Sequence, residues 1–370
     1  MSDMIEPEEL RDAVRPVLTD LRDNTWPVPG EDGRGMDEAL WQQCAELGWL
    51  QLSIPEDRDG LGLGIAHLRV VYEEMGRSLG SVPYLSTMLA VEALSKAGAQ
   101  PGVAAHLEAI AAGKCRAAVA LADTHASLEV SGEGKLSGRV ADVLFADVAD
   151  ILLLPVRNNG QHGLAILPAG NPAVEIRKRG LIDLTRSSAD VAVSPVDAGD
   201  LDIIELDAGM WASLLDHAAV GLACDSTGAT EALFDLTLEY LNTREQFGRL
   251  IGSFQALKHR AADWKCRAEV AAALARQAAM RVNAKDAEAS ATASGAKFNA
   301  CDLFAAFSGD AIQLHGGIGF TWEHPCHLFL KRAKLNQQLF GNSTFHKERV
   351  ARLAFDETII SAFSPDSVRA

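Results

Sequence analysis

The chain has 370 residues, 48% of them hydrophobic, and its 50 acidic against 34 basic side chains leave a formal net charge of −16. That length supports two or three packed domains around a large core. The acidic balance argues against DNA, RNA or an anionic membrane surface as main partner, and no apolar run approaches a membrane span. The opening MSDMIEPEEL is acidic and polar, unlike a signal peptide. Six scattered cysteines form no C-x-x-C pair, and none sits at zinc-ligand spacing with a histidine pair. They read as small core residues in a reducing compartment, so a cytoplasmic protein without a metal site is expected.

Residues 1–115 read as a helical domain. Pro7, Glu8 and Glu9 open a first helix to about Arg22, with acidic residues at its positive end. After the irregular NTWPVPGEDGRG come helices over Asp37–Leu47, from about Ile65 through Leu79, over Leu85–Ala97 and over Gly102–Ala112. Glu73 and Glu74 are neighbours in sequence, so they point about 100° apart on a helix and face solvent or an arginine rather than each other. Residues 116–200 change character: short apolar or alternating pieces such as ADILLLPV and GLAILPA, punctuated by Gly, Asn, Asp and Pro, predict a small β domain. Residues 201–370 return to helix over Ala208–Asn242, Leu257–Ala284, the alanine-rich Ala287–Ser308 and Leu328–Leu339, a pattern suited to a closely packed bundle. The tail AFSPDSVRA reads as loose.

Two stretches carry chemistry. In QLHGGIGFTWEHP, Gly316, Gly317 and Gly319 put three glycines in four positions, which costs backbone entropy and lets a ligand or another backbone come close. Backbone N–H groups there, beside Lys331, Arg332 and Lys334, read either as a clamp for a dinucleotide phosphate or as a tight turn between helices. The second stretch is TREQFGRLIGSFQALKH. Together they resemble the flavin-binding motifs of the acyl-CoA dehydrogenase family, Q-x-x-G-G-x-G-[YF]-T and R-x-x-F-G-x-x-[IL]-x-x-[FH]-Q. The matching positions here are Gln313, Gly316, Gly317, Gly319, Phe320 and Thr321, then Arg244, Phe247, Gly248, Ile251, Phe254 and Gln255.

The resemblance implies an acyl-CoA dehydrogenase-like fold: an α-helical N-terminal domain, a small central β-barrel domain and a C-terminal four-helix bundle. It also implies FAD, with Arg244 on the pyrophosphate, where a planar guanidinium suits phosphate oxygens. Gln246, Phe247 and Gln255 would line the adenosine end, and Gln313, Gly316, Gly317 and Gly319 would supply backbone and amide contacts. In the family these groups reach a flavin shared with a neighbouring subunit, so an oligomer is implied. So are an acyl-CoA thioester as substrate, α,β-dehydrogenation with a carboxylate taking the α-proton, and an electron-transfer flavoprotein as acceptor.

Several positions depart from the family. Asp59 stands where members usually carry the first of two glycines. ALADTHA replaces a T-E-P-x-x-G-S-D loop, and no W-[IV]-[TS] strand is found. Most consequential, Phe340 occupies the position of the catalytic glutamate in many members. The alternative position of the base, on the helix before R-x-x-F-G, falls at about Ala218, followed by Ala219. Neither ring nor methyl takes a proton, so the catalytic residue is unassigned, with Asp225 and Asp216 as substitutes. The run Trp322–Arg332, W-E-H-P-x-H-L-F-L-K-R, resembles actinobacterial relatives that degrade steroid side chains as α2β2 heterotetramers with a homologous partner. The reading is therefore a FAD-binding subunit lacking its own carboxylate in such a heterotetramer. The alternatives are a self-sufficient homo-oligomeric enzyme with a relocated base, and a non-catalytic protein that keeps only the fold.

Overall fold

The computed structural model describes residues 6–24, 36–97, 101–121, 128–158 and 161–355; the predicted irregular stretch at 25–35, most of ALADTHA and the tail lie outside them. The chain divides into two compact units, one of Met1–Val71 and Leu79–Ala218, the other of Tyr72–Ser78 and Ala219–Ala370.

In the first unit, α1 (Pro7–Asn24) buries Leu10, Val14 and Leu18, spaced four apart on one face. Helix α2 (Glu38–Glu46) begins where the Asp37 side chain accepts a hydrogen bond from the Leu40 backbone N–H at 3.0 Å, relieving one orphan donor of its first turn. The chain then passes two short 3-10 turns. Asp59, at the position where a glycine is usual, takes φ +58°, the left-handed region that Asp tolerates better than most residues. Helices α3 (Ile65–Ser78), α4 (Tyr84–Lys96) and α5 (Pro101–Ala111) follow. Helix α4 is buried from Tyr84 through Val91, and Tyr84 Oη donates to the Trp49 carbonyl at 2.9 Å. Of the two surroundings expected for Glu73 and Glu74, solvent or an arginine, solvent is excluded. The chain is buried from Leu68 through Gly76, so this end of α3 has no wet face, and neither carboxylate is free.

The strands are β1 (Ala117–Val119), β2 (Leu128–Val130), β3 (Lys135–Leu144), β4 (Ile151–Asn158), β5 (Gln161–Pro168), β6 (Val174–Lys178), β7 (Ser188–Asp197) and β8 (Asp202–Glu205). They pair in the order β6-β7-β3-β2-β4-β5-β8, with β1 parallel to β4. Among the described residues no ladder joins β6 to β8. Even so, Val174 and Ile176 from one edge and Ile203 from the other pack on a single cluster that includes Leu136, Leu152, Leu154, Leu167 and Val191. The sheet therefore wraps around one core in the manner of a barrel, with side chains rather than hydrogen bonds bringing its edges together.

Helix α6 (Ala208–Thr243) runs into the second unit, where α7 (Gln255–Asn283), α8 (Ala289–His315), α9 (Cys326–Gln338) and α10 (Ser343–Ala354) follow. Helix α8 is central: it packs on α7, α9 and α10, and its Phe307 meets Phe234 of α6 at 5.9 Å between ring centroids. Buried Ala293, Ala296, Ala300 and Ala311 keep its surface thin enough for that crowding. The α3 segment of this unit approaches α6 more closely still. A Cβ at Gly76 would stand 1.9 Å from the Asp225 carbonyl oxygen, and one at Gly228 would stand 1.8 Å from that of Glu73. Both obstacles are backbone and cannot rotate away. Gly228→Ala is expected to destabilise the protein by about 1–3 kcal/mol through overpacking, read as a lower urea midpoint; an unchanged midpoint would mean that the two helices can part at little cost.

Candidate cofactor-binding site

The two glycine-bearing motifs meet at one end of the second unit because of a ring stack. Tyr240, near the end of α6, stacks on His315, the last residue of α8, at 4.6 Å between centroids. From Tyr240 the chain continues to Arg244, whose N–H donates to the Tyr240 carbonyl at 2.9 Å. A small hairpin follows, β9 (Glu245–Gln246) and β10 (Arg249–Leu250). Its tip, Phe247 and Gly248, has φ +54° and +73°, two left-handed residues in succession as the twist of a two-residue hairpin requires. The base is closed by Ile251 N–H donating to the Arg244 carbonyl at 2.8 Å. On the other side of the stack, Gly316 leaves α8 with φ +65° and the chain makes a 3-10 turn over Gly316–Phe320.

The side chains of these motifs face outward. Arg244, Gln246, Gln255 and Gln313 are exposed, and Phe247 is 92% exposed. Phe320 at 73% and Trp322 at 61% are also open to solvent. Among the described residues, no ion pair of Arg244 is found. A Cβ at Gly317 would touch nothing in this chain, whereas one at Gly319 would stand 3.0 Å from the Ile312 carbonyl oxygen. Gly319 thus serves the turn's own packing, and Gly317 leaves an accessible stretch of backbone. An unpaired guanidinium, bare amide backbone and open aromatic rings fit a phosphate-bearing, planar ligand.

One predicted member of the clamp is placed elsewhere. Arg332 is 1% exposed and points into the unit, where Nη1 meets Asp225 Oδ2 at 2.9 Å. Asn336, one turn further along α9, donates to Asp225 Oδ1 at 2.7 Å and to Ser226 Oγ at 3.0 Å. Lys331 instead lies 4.5 Å from the Trp322 ring centre, and Lys334 bonds Gln337. The spacing of Arg332 and Asn336, four apart on one helix face, was a sign of this network in the sequence; its partner lies more than a hundred residues away.

The candidate proton acceptors are both buried. Asp225 has both oxygens engaged as above. Asp216, in the first unit, is 5% exposed and holds a partner. Beside it, His217 Nδ1 lies 2.5 Å from Glu92 Oε2, while Lys96 Nζ and Ser213 Oγ approach Glu92 Oε1 at 2.5 and 2.7 Å. Burial raises the Glu92 pKa, but the hydrogen bond from His217 and the charge and hydrogen bond of Lys96 outweigh it and bring the group down to about 2. Glu92 was missed in the sequence, although a lone carboxylate in the apolar run LSTMLAVEAL was a visible clue. Phe340 is half-buried with φ +52°, its carbonyl 3.1 Å from His346 Nε2, and Lys297 bonds the next carbonyl, that of Gly341.

Comparison with known proteins is decisive about family. The model of the acyl-CoA dehydrogenase N-terminal domain matches residues 6–114, and that of the C-terminal domain matches residues 208–355. The chain belongs to the acyl-CoA dehydrogenase family. It is 34% identical over 307 residues to acyl-CoA dehydrogenase IpdE2 of Mycobacterium tuberculosis (strain ATCC 25618 / H37Rv), covering 83% of each chain. Its fold is similar to that of the ChsE4-ChsE5 complex from Mycobacterium tuberculosis, with TM-score 0.83 and 27% identity over 95% of this chain and 97% of the other. A variant of the Tcur3481-Tcur3483 steroid ACAD gives TM-score 0.84 and 26% identity, covering 94% of this chain and 97% of the other. Members of the acyl-CoA dehydrogenase family bind FAD, and the helical, sheet and helical parts found here are those of that fold. No described helix is long and apolar enough to cross a membrane.

Two tests of the buried carboxylates follow. Asp225→Asn removes one buried charge partner of Arg332, and a loss of about 3–5 kcal/mol is expected in chemical denaturation; full stability with lost turnover would instead make Asp225 a proton acceptor. For Glu92 the folded pKa lies below the ordinary carboxylate value, so its contribution is complete above about pH 4.5 and is lost as pH falls toward 2. Wild type is expected to exceed Glu92→Gln in stability at pH 6 by on the order of 3 kcal/mol, with the gap narrowing as acid is added; a gap constant with pH would remove the charge from the argument.

Proposed function

We propose that this chain is a FAD-binding subunit of an acyl-CoA dehydrogenase that lacks its own catalytic carboxylate and works beside a homologous subunit in an α2β2 heterotetramer. The observation that carries this reading is Phe340. Its phenyl ring stands at the position where many members carry the base, and it has no group to take a proton. Of the substitutes, Asp225 is committed to Arg332 and Asn336, and Asp216 is buried and already holds a partner. Similarity to one chain of the ChsE4-ChsE5 complex supports pairing with a related subunit. Similarity to a steroid ACAD supports a bulky, steroid-type acyl group on the CoA thioester. We read the chain as domains 1–115, 116–200 and 201–370, a division supported by the change from α5 to β1 and from β8 to α6.

In this reading the exposed end of the second unit is the chain's contribution to the cofactor. Arg244 holds the pyrophosphate by charge-assisted hydrogen bonds, and Gln246, Phe247 and Gln255 line the adenosine end. Gln313 and the backbone of Gly316, Gly317 and Gly319 close on the same group. Bound FAD supplies the acceptor for the hydride removed from the acyl chain, and an electron-transfer flavoprotein carries the electrons away. The proton of the α-carbon goes to a carboxylate on the partner.

The test is a visible spectrum of the chain purified alone and of the chain co-purified with its homologous subunit, each followed during anaerobic addition of an acyl-CoA. A colourless chain that turns yellow and is bleached by substrate only with the partner is the expected result. A chain that is yellow and bleached alone is a self-sufficient enzyme with a relocated base, and one colourless in both preparations keeps only the fold. In the flavin-bearing form, Arg244→Ala is expected to weaken FAD retention by about 10–100-fold, as loss of a hydrogen bond to a charged group implies; unchanged flavin content would displace Arg244 from the pyrophosphate.

A further inference from the structure

Just behind the exposed motif lies a group of side chains that flavin binding does not employ. His315 ends α8, His324 sits in the loop after the glycine turn, and Cys326 begins α9. Their ligand atoms all lie within 4.8 Å of one another. Cys326 Sγ is 3.4 Å from His315 Nδ1 and 3.9 Å from its Nε2, and the rings of His315 and His324 are 4.3 Å apart between centroids. In sequence the three are spread as H-x8-H-x-C, which is why spacing gave no metal motif; the turn at Gly316–Phe320 folds the segment back and closes the gap.

We propose that His315, His324 and Cys326 form a binding site for one soft divalent cation of the zinc type. Two imidazoles and a thiolate are a donor set that selects such ions over magnesium or calcium. Zinc bonds of about 2.0–2.3 Å in tetrahedral geometry put ligand atoms roughly 3.5 Å apart, against separations of up to 4.8 Å here, so the three side chains close in on the ion as it binds. His324 is the half-exposed member, which leaves a way in from solvent. The arrangement also has the outer support that metal-bound histidines usually have. His315 Nδ1 lies 2.8 Å from the Ala311 carbonyl, and Tyr240 stacks on the ring to fix its plane. Cys326 N–H reaches His324 Nδ1 at 3.4 Å. When the ion binds, the Cys326 sulfur–hydrogen bond is exchanged for a sulfur–metal bond and the proton passes to solvent. Bound metal would tie α8 to α9 across the glycine turn without occupying its outer face.

The experiment uses the full-length chain, stripped of metal with a chelator and kept reduced, titrated with Co2+ and then Zn2+. One Co2+ per chain with a thiolate-to-cobalt absorption band, displaced by Zn2+, is expected. The band should vanish in Cys326→Ser. Affinity should fall by more than about tenfold in His324→Ala, since even outer partners of a metal ligand cost that much. Circular dichroism confirms that both variants are folded, and His324→Ala, in a half-exposed loop, keeps the test valid if Cys326→Ser is not. Absence of the band in the reduced wild type would overturn the proposal and leave the cluster as a hydrogen-bonded packing device. A band that survives Cys326→Ser would assign the metal to another thiol and overturn it equally.

Discussion

At the centre of the second unit, a carboxylate and a guanidinium are held together out of water. Asp225 and Arg332 meet at 2.9 Å with side chains 7% and 1% exposed, and Asn336 takes the other carboxylate oxygen. Such a pair gains little over a well-packed apolar contact but is costly to separate, because either partner alone would be a buried charge. It therefore acts as a constraint more than as a source of stability. It sets α9 at one height along α6. Just beside it, Gly76 and Gly228 let the last turn of α3 sit against α6 at backbone contact. Any sliding of α9 would break three hydrogen bonds to Asp225 and Ser226 at once.

The outer surface depends on that constraint. Helix α9 follows directly on the segment that carries the glycine turn, so the helix's position determines where the turn ends. The start of the turn is set by the Tyr240–His315 stack, which also determines where the Arg244 hairpin leaves α6. A buried polar network and a ring stack thus hold two glycine-bearing loops to one end of a rigid helical frame. This is the usual division of labour between scaffold and binding loops. The exposed rings of Phe247, Phe320 and Trp322 and the unpaired Arg244 make sense as groups whose partner lies outside the chain.

The same frame explains why the position of Phe340 matters. The backbone there is left-handed, with its carbonyl near His346 and the next one bonded to Lys297, both buried. A turn held this firmly places whatever side chain it carries. Here it carries a phenyl group, on a segment as firmly fixed as one bearing a carboxylate would need to be.

Much of this was legible in the amino-acid order. Most helices were legible from caps, apolar spacing and the breaks at Gly and Pro, and the sheet region from alternation and turn residues, because these signals act over a few residues; the helix expected to end at Ser308 instead runs on to His315. The two glycine-bearing stretches were legible as a family resemblance because glycine, arginine and aromatic residues stand there at fixed spacing. What sequence could not decide was which charges face inward. Arg332 read as part of a cationic clamp together with Lys331 and Lys334, Asp225 as a substitute base, Glu73 and Glu74 as facing solvent or an arginine, and the cysteines as lying at no zinc-ligand spacing with a histidine pair. Each of these depends on what a helix packs against, and the partners are brought together by the fold from distant positions. Burial and pairing are properties of the packed chain, so only the tertiary structure decided them.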